Sequence, residues 1–187
     1  MATMRYILSV ANRCWWAASV RDRTVTRRDL PREGKDAVES TAQRAATALA
    51  ELGYRGEGLC LALSADNVLT GRIDAAHLPR RERRAAMVYR LEDELPVEAE
   101  RLTADFLPVV AGRALGAAVE TDRVRRLLDA LSAHGIKAAA VCSETLLAAW
   151  RACRNTADQA DYVLVVGHDA VQLLRIAEGV PVGWQSA

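Results

Sequence analysis

Three histidines, His77, His134 and His168, are the obvious general bases of this chain at neutral pH, yet they are too scattered to build a site by themselves. His77 precedes a Leu-Pro helix start. His134 falls at a helix C-terminus, where the dipole favours an imidazolium. Both read as surface or capping residues, whereas His168 follows Gly167 at the end of an apolar run and is the one to watch. Cys142 ends another apolar run just before a helix that begins near Ser143, a position that can depress a thiol pKa into the reactive range. A nucleophilic cysteine also needs a base, and no histidine can be placed beside it, so Cys142 reads first as a buried strand end.

The remaining cysteines, Cys14, Cys60 and Cys153, form no CxxC pair with it or with each other. Zinc sites usually take paired ligands at short spacing, and disulfide frameworks belong to smaller secreted chains. The four are therefore expected to be buried, reduced thiols of a cytoplasmic protein, and no metal site is expected. The run Arg80-Arg81-Glu82-Arg83-Arg84 puts four positive charges on the first turn of a helix, against the preference of the dipole. It reads as a solvated face balanced by Glu92-Asp93-Glu94 further along the helix, with a surface for an acidic partner as the alternative. Neither GxxxxGK[ST] nor GxGxxG occurs. Gly53-Tyr54-Arg55-Gly56-Glu57-Gly58 joins a helix to a strand, the wrong direction for helix-terminal amides to cradle a phosphate. No catalytic residue is assigned.

The frame for these residues is one domain's worth of chain. Its 187 residues are 51% hydrophobic and 26% charged, enough to fold around a core. Positive charges number 25 and acidic ones 24, so nucleic acid is not the default partner. Ala occurs 35 times and Phe once, so small residues, Leu and Val must close the core; 23 of the 25 basic residues are Arg, a composition bias more than a recognition signal. No stretch is apolar for long enough to cross a bilayer, and a soluble, non-exported chain is expected.

Short β-prone runs at Tyr6 to Val10, Trp15 to Val20 and Thr24 to Arg28 predict a three-strand meander. Apolar residues at Val38, Ala42, Ala45, Ala46, Leu49 and Leu52 give one buried helical face over Asp36 to Leu52, stopped by Gly53. Leu59 to Leu63 then reads as a buried strand that returns parallel to the first, making a β-β-β-α-β unit. A second unit follows: a strand over Asn67 to Asp74, a helix from Leu78-Pro79 to Pro96, and strands over Leu102 to Val109 and Arg113 to Val119. Asp122 to His134 is the clearest helix, with Thr121 as its N-cap and Gly135 as its stop. Beyond it come a strand (Ile136 to Val141), a helix (Ser143 to Arg154) and strands over Tyr162 to Val166, Val171 to Ile176 and Pro181 to Trp184.

The segment Leu61-Ala62-Leu63-Ser64, then Val68-Leu69-Thr70-Gly71-Arg72-Ile73-Asp74, then Leu78-Pro79, then a charged helix ending Leu91-Glu92-Asp93-Glu94-Leu95-Pro96 resembles a known family. It is that of the type IV pilus assembly protein PilM and the cytoplasmic part of the type II secretion protein GspL. Those proteins have a small-residue turn after a strand, a strand with an arginine, a Leu-Pro helix start and a helix closing on an "E-E-x-L-P"-like sequence. An "x-x-x-D-x" strand follows, matched by Leu102-Thr103-Ala104-Asp105-Phe106. The helix Val124 to His134 with Gly135-Ile136, the strand to Val141 and the helix through Leu147 and Arg151 resemble the family's next elements.

The resemblance implies an α/β fold: an actin-like (ribonuclease H-like) β-β-β-α-β lobe with an inserted small β-α-β-β subdomain. Residues 1–64 would begin the lobe, 65–120 form the insertion, 121–160 complete the lobe, and 161–187 open a second lobe. The family holds ATP between its lobes on two phosphate-binding hairpins, the first reading "D-x-G-S-S" in its ATP-binding members. Here that turn is Ser9-Val10-Ala11-Asn12-Arg13-Cys14-Trp15-Trp16, with no Asp and no Gly, although close backbone approach to a phosphate needs glycine and Mg²⁺ needs a carboxylate. Trp15 and Trp16 are expected to crowd the phosphate position. At the second hairpin Gly167 remains. The resemblance thus implies a non-catalytic cytoplasmic scaffold at the inner membrane, without cofactor. Its partners would be a short cytoplasmic tail of a membrane protein and the assembly ATPase, with Arg80, Arg81, Arg83 and Arg84 as a partner surface. The alternative is a nucleotide-binding ATPase or kinase lobe, in which Asn12, Gly167 and Asp169 would contact phosphate or metal and ATP with Mg²⁺ would be the ligand.

Overall fold

The computed structural model describes residues 5–22, 24–32, 38–78, 83–155, 161–167 and 170–186. In chain order these form β1 (Tyr6–Val10), β2 (Cys14–Arg21), β3 (Thr24–Pro31), α1 (Val38–Glu51), β4 (Leu59–Leu63) and β5 (Leu69–Asp74). Next come α2 (Arg83–Glu92), β6 (Leu102–Phe106), β7 (Arg113–Glu120), α3 (Thr121–Ala133), β8 (Ala138–Ser143) and α4 (Glu144–Asn155). The last three strands are β9 (Tyr162–Val166), β10 (Val171–Ala177) and β11 (Val180–Ser186). Two compact units result, one of Met1–Asn67 with Arg123–Glu144 and one of Val68–Asp122 with Thr145–Ala187.

The first unit is a five-stranded sheet in the order β3-β2-β1-β4-β8. β1 to β3 form the antiparallel meander, and β4 pairs in parallel with β1, as the intervening helix predicts. β8 extends the sheet in parallel beyond β4. The inner strands bury Tyr6, Leu8, Val10, Leu59, Leu61 and Leu63 on one face, and Ser9 and Ala62 on the other. Trp15, expected near the phosphate position, is instead a core residue at 1% exposure, with the Arg32 guanidinium 5.9 Å from its ring centroid. Two helices of this unit end in the same way. Gly53 and Gly135 take positive φ, and the next amides, of Tyr54 and Ile136, bond back to the carbonyls of Leu49 and Leu131. The Thr121 side chain, expected as an N-cap, instead shares a 2.9 Å hydrogen bond with the Thr103 hydroxyl.

In the second unit β5, β7 and β6 form an antiparallel sheet covered by α2. Two of these strands, β5 and β6, are shorter than the sequence suggests. Ala65–Asn67 forms a 3-10 turn, so β5 starts only at Leu69. β6 stops at Phe106, two residues before Pro108, which has no N–H for a ladder. α2 ends at Glu92 rather than at Pro96, its exit tightened by bonds from Glu94 and Leu95 to the carbonyls of Leu91 and Glu92. β9, β10 and β11 make a second antiparallel meander in the order β11-β10-β9. One face of it packs Leu174, Ile176, Val163, Val165 and Trp184 against Ala149, Leu146 and Cys153 of α4. The opposite face shows Tyr162, Leu164 and Val166 at 59%, 60% and 72% exposure.

The contact that seats α2 is made by two glycines. Gly71 and Gly116 lie opposite each other in the β5–β7 ladder, and fully buried Leu91 fills the gap they leave. A Cβ on Gly71 would come within 2.7 Å of Leu91 Cδ1, and one on Gly116 within 3.1 Å of it and 3.0 Å of the Phe106 ring. Gly71→Ala should therefore destabilise the protein by about 1–3 kcal/mol through overpacking. Its cost in a Leu91→Ala background should be smaller than in the native one, a non-additivity that urea unfolding of the four proteins measures.

Candidate functional site

The turn between β1 and β2 is built from β1 outwards. β1 runs straight into Ala11-Asn12-Arg13, and β4, its parallel neighbour, brings Ser64, Asp66 and Asn67 to the same end of the sheet. Three polar groups of Asn12 are engaged. Its backbone N–H donates to Asp66 Oδ2 at 3.1 Å, its side-chain oxygen accepts from Arg123 at 3.2 Å, and its carbonyl accepts from Arg32 at 3.4 Å. The Val10 carbonyl accepts from the Ser64 amide at 3.1 Å and from Asn67 Nδ2 at 3.2 Å. The Ser64 hydroxyl, with one proton to give, lies against both the Val10 carbonyl at 3.0 Å and the Asp66 carboxylate. Asn67 Nδ2 also reaches the Ser64 hydroxyl at 2.9 Å and Asp66 Oδ1 at 3.1 Å. Below the turn, buried Ser9 donates to Glu144 Oε2 at 3.1 Å, at the start of α4 where a carboxylate suits the helix dipole.

A negative charge therefore already sits on the backbone amide of this turn, supplied by Asp66. Of these residues the sequence singled out only Asn12. The signal for the others lay in topology: a Ser-Ala-Asp-Asn run directly after the strand that returns parallel to β1 must end beside the β1 turn.

The other expected positions are spread over the chain. Gly167 belongs to the second unit, and its amide donates to the Ala170 carbonyl at 2.9 Å. Asp169 and His168 lie outside the described residues, as do Arg80 and Arg81. Arg83 reaches the Leu78 carbonyl at 3.2 Å, while Arg84 pairs with Asp105 at 3.0 Å and touches the Ala104 carbonyl at 3.3 Å. The Arg84 pair is well exposed and adds little stability. Among the described residues, no group of three or more His, Cys, Asp or Glu is placed to hold a metal ion.

One arrangement has no signature in the sequence. Cys60 of β4 and Cys142 of β8 meet diagonally across the ladder, Cys60 opposite Ala140 and Cys142 opposite Ala62, with their sulfurs 3.0 Å apart. The hydrogen bond from the Cys142 thiol stabilises a thiolate on Cys60 and lowers that group to about 7, against the opposing effect of burial. Cys142 is pushed up by the same bond, by burial and by the charges of Cys60 and Glu144. Cys142, at a position that can activate a thiol, is thus not the activated one, and the more acidic thiol is Cys60.

No family model matches the sequence, and no curated protein matches it. Solved structures do match. Against a chain of the PilM–PilN type IV pilus biogenesis complex the TM-score is 0.81 at 18% identity, over 100% of this chain and 62% of that one. Against the cytoplasmic domain of EpsL, an inner-membrane component of the type II secretion system of Vibrio cholerae, it is 0.70 at 12% identity, over 97% and 70%. Against a Bacteroides thetaiotaomicron protein with an actin-like ATPase fold and unknown function it is 0.61 at 8% identity, over 99% and 70%. The fold is accordingly the actin-like α/β fold, and the chain spans less than two thirds of the PilM–PilN complex chain it matches.

Three outcomes follow from the site geometry. Asp66→Ala removes the acceptor for the Asn12 amide and should cost about 1–2 kcal/mol in chemical denaturation. Alkylation of Cys60 by iodoacetamide should rise through a midpoint near pH 7, since the thiolate is the nucleophile and its group is lowered to about 7. In Cys142→Ala the stabilising donor is gone, and the Cys60 rate at pH 7 should fall about tenfold as its pKa returns towards the ordinary value.

Proposed function

We propose that this chain is a non-catalytic scaffold built on the actin-like fold, serving an inner-membrane assembly platform of the type IV pilus or type II secretion kind from its cytoplasmic side. The observation that carries the non-catalytic half is the Asp66 carboxylate on the Asn12 amide. A nucleotide phosphate brought to this turn would meet a fixed negative charge where it needs free donors, and like charges at such range oppose binding. The turn also lacks the glycine that would let a phosphate approach the backbone. Mg²⁺ chemistry gains nothing here either, because Asp66 is already committed to Asn12, Ser64 and Asn67.

The assembly-platform half rests on the likeness to a chain of the PilM–PilN complex and to the EpsL cytoplasmic domain. The first is solved as a complex and the second is part of an inner-membrane component, so the partners proposed are a short cytoplasmic tail of a membrane protein and the assembly ATPase. Among the described residues no helix is long and apolar enough to cross a membrane, and attachment through such a tail would hold this chain at the membrane.

Titration calorimetry of the protein with Mg-ATP up to millimolar nucleotide should give no binding heat. Saturable binding in that range would favour a nucleotide-binding lobe instead. Affinity purification from mildly solubilised membranes of the native bacterium should recover a membrane protein with a short cytoplasmic tail together with a pilus or secretion ATPase. Recovery of neither would overturn the platform assignment.

A further inference from the structure

We propose that Cys60 and Cys142 are a redox-responsive pair that closes to a disulfide between β4 and β8, with hydrogen peroxide as the oxidant. Their sulfurs stand 3.0 Å apart although 82 positions separate them in the chain, and each thiol is half-buried. Cys142 Sγ also lies 3.6 Å from the Leu61 carbonyl. The other two thiols are placed differently: Cys14 bonds the Trp15 carbonyl, and Cys153 packs in the α4 core. Drawing the sulfurs to bonding distance asks for a movement of about 1 Å. The strands can supply it, because the β4–β8 register is irregular at Leu59/Cys60 and β8 is the edge strand of its sheet.

The chemistry divides between the two residues as their geometry divides them. Cys60 thiolate attacks one oxygen of the peroxide; an S–O bond forms, the O–O bond breaks and hydroxide leaves to become water with a solvent proton. The Cys60 sulfur is oxidised by two electrons to sulfenic acid and the peroxide is reduced by the same two. The Cys142 sulfur then attacks that of Cys60; the S–S bond forms, the S–O bond breaks, and the departing hydroxyl takes the Cys142 proton and leaves as water. Two thiols and one peroxide give one disulfide and two waters. A thiol with a pKa near ambient pH is well suited to the first step, and a neighbour already in contact outcompetes solution thiols for the second. The product ties the edge strand β8, which leads directly into α4, to the middle of its sheet.

The sequence makes the test direct, since trypsin places each cysteine on its own peptide, cut after Arg13, Arg55, Lys137 and Arg151. Reduced protein is treated with hydrogen peroxide, quenched with N-ethylmaleimide, digested without reductant and analysed by mass spectrometry. Cys60 and Cys142 should disappear together from the alkylated pool and reappear as one cross-linked peptide pair, with Cys14 and Cys153 still alkylated. Dithiothreitol should restore both. Cys142→Ser should give no cross-link and leave Cys60 as a sulfenic acid that dimedone traps; Cys60→Ser should slow loss of the Cys142 thiol at least tenfold. The proposal fails if peroxide oxidises Cys14 or Cys153 while the pair stays alkylated, if the cross-link joins other cysteines, or if no thiol is lost.

Discussion

The parallel pairing of β4 with β1 is the contact on which the other features depend. It sets Ile7 against Cys60 and Val10 against Leu63, which fixes where each strand ends. A parallel neighbour requires a crossover, and α1 with its glycine-closed end provides it. Once the register is fixed, the residues just beyond Leu63 have nowhere to go but the end of β1, and there Ser64, Asp66 and Asn67 close the Val10–Asn12 turn. The same register turns Cys60 towards the next strand, where Cys142 meets it. A one-residue slip would reverse every side chain of β4, exposing Leu59, Leu61 and Leu63 and undoing both the turn and the thiol pair.

What the sequence disclosed follows the range of the interactions involved. β1, β4 and β9 begin and end where their apolar runs do, because a continuous run of strand-forming apolar residues is a local signal. Gly53 and Gly135 were legible as helix stops because capping is decided within a few residues. The Asp66–Asn12 bond spans 54 positions and the Cys60–Cys142 contact 82, and neither exists until a register has been chosen. Gly71 reads alone as a weak point in a strand; only beside Gly116, with Leu91 above both, does it become the seat of a helix. Trp15 was misplaced for the converse reason. The family resemblance put it at a phosphate turn, whereas the alternation of β2 turns it inward and leaves Trp16 half-buried beneath the Arg27 guanidinium.

The two meanders solve the problem of a sheet edge differently. β3 is exposed along its length and carries Arg27, Arg28, Asp29 and Pro31, residues that discourage another strand from adding to it. At the opposite end of its meander, β1 is covered by β4, so it can be largely apolar. β9 holds the place in its meander that β1 holds in the first, with the order β11-β10-β9 echoing β3-β2-β1. It has the same apolar character, yet among the described residues no strand pairs with its outer side.

A turn that cradles phosphate keeps its amide donors free for the ligand, and its order then depends on ligand concentration, because whatever binds the folded state alone adds to its stability by mass action. Here the Asn12 donor is met by Asp66, its side chain by Arg123 and its carbonyl by Arg32, all from within the first unit. The carboxylate takes the electrostatic place of the phosphate, and the side chains of Ser64 and Asn67 hold that carboxylate in turn. The turn is thereby ordered without a ligand. Its order therefore does not vary with the concentration of any ligand, as that of a turn with free amide donors would.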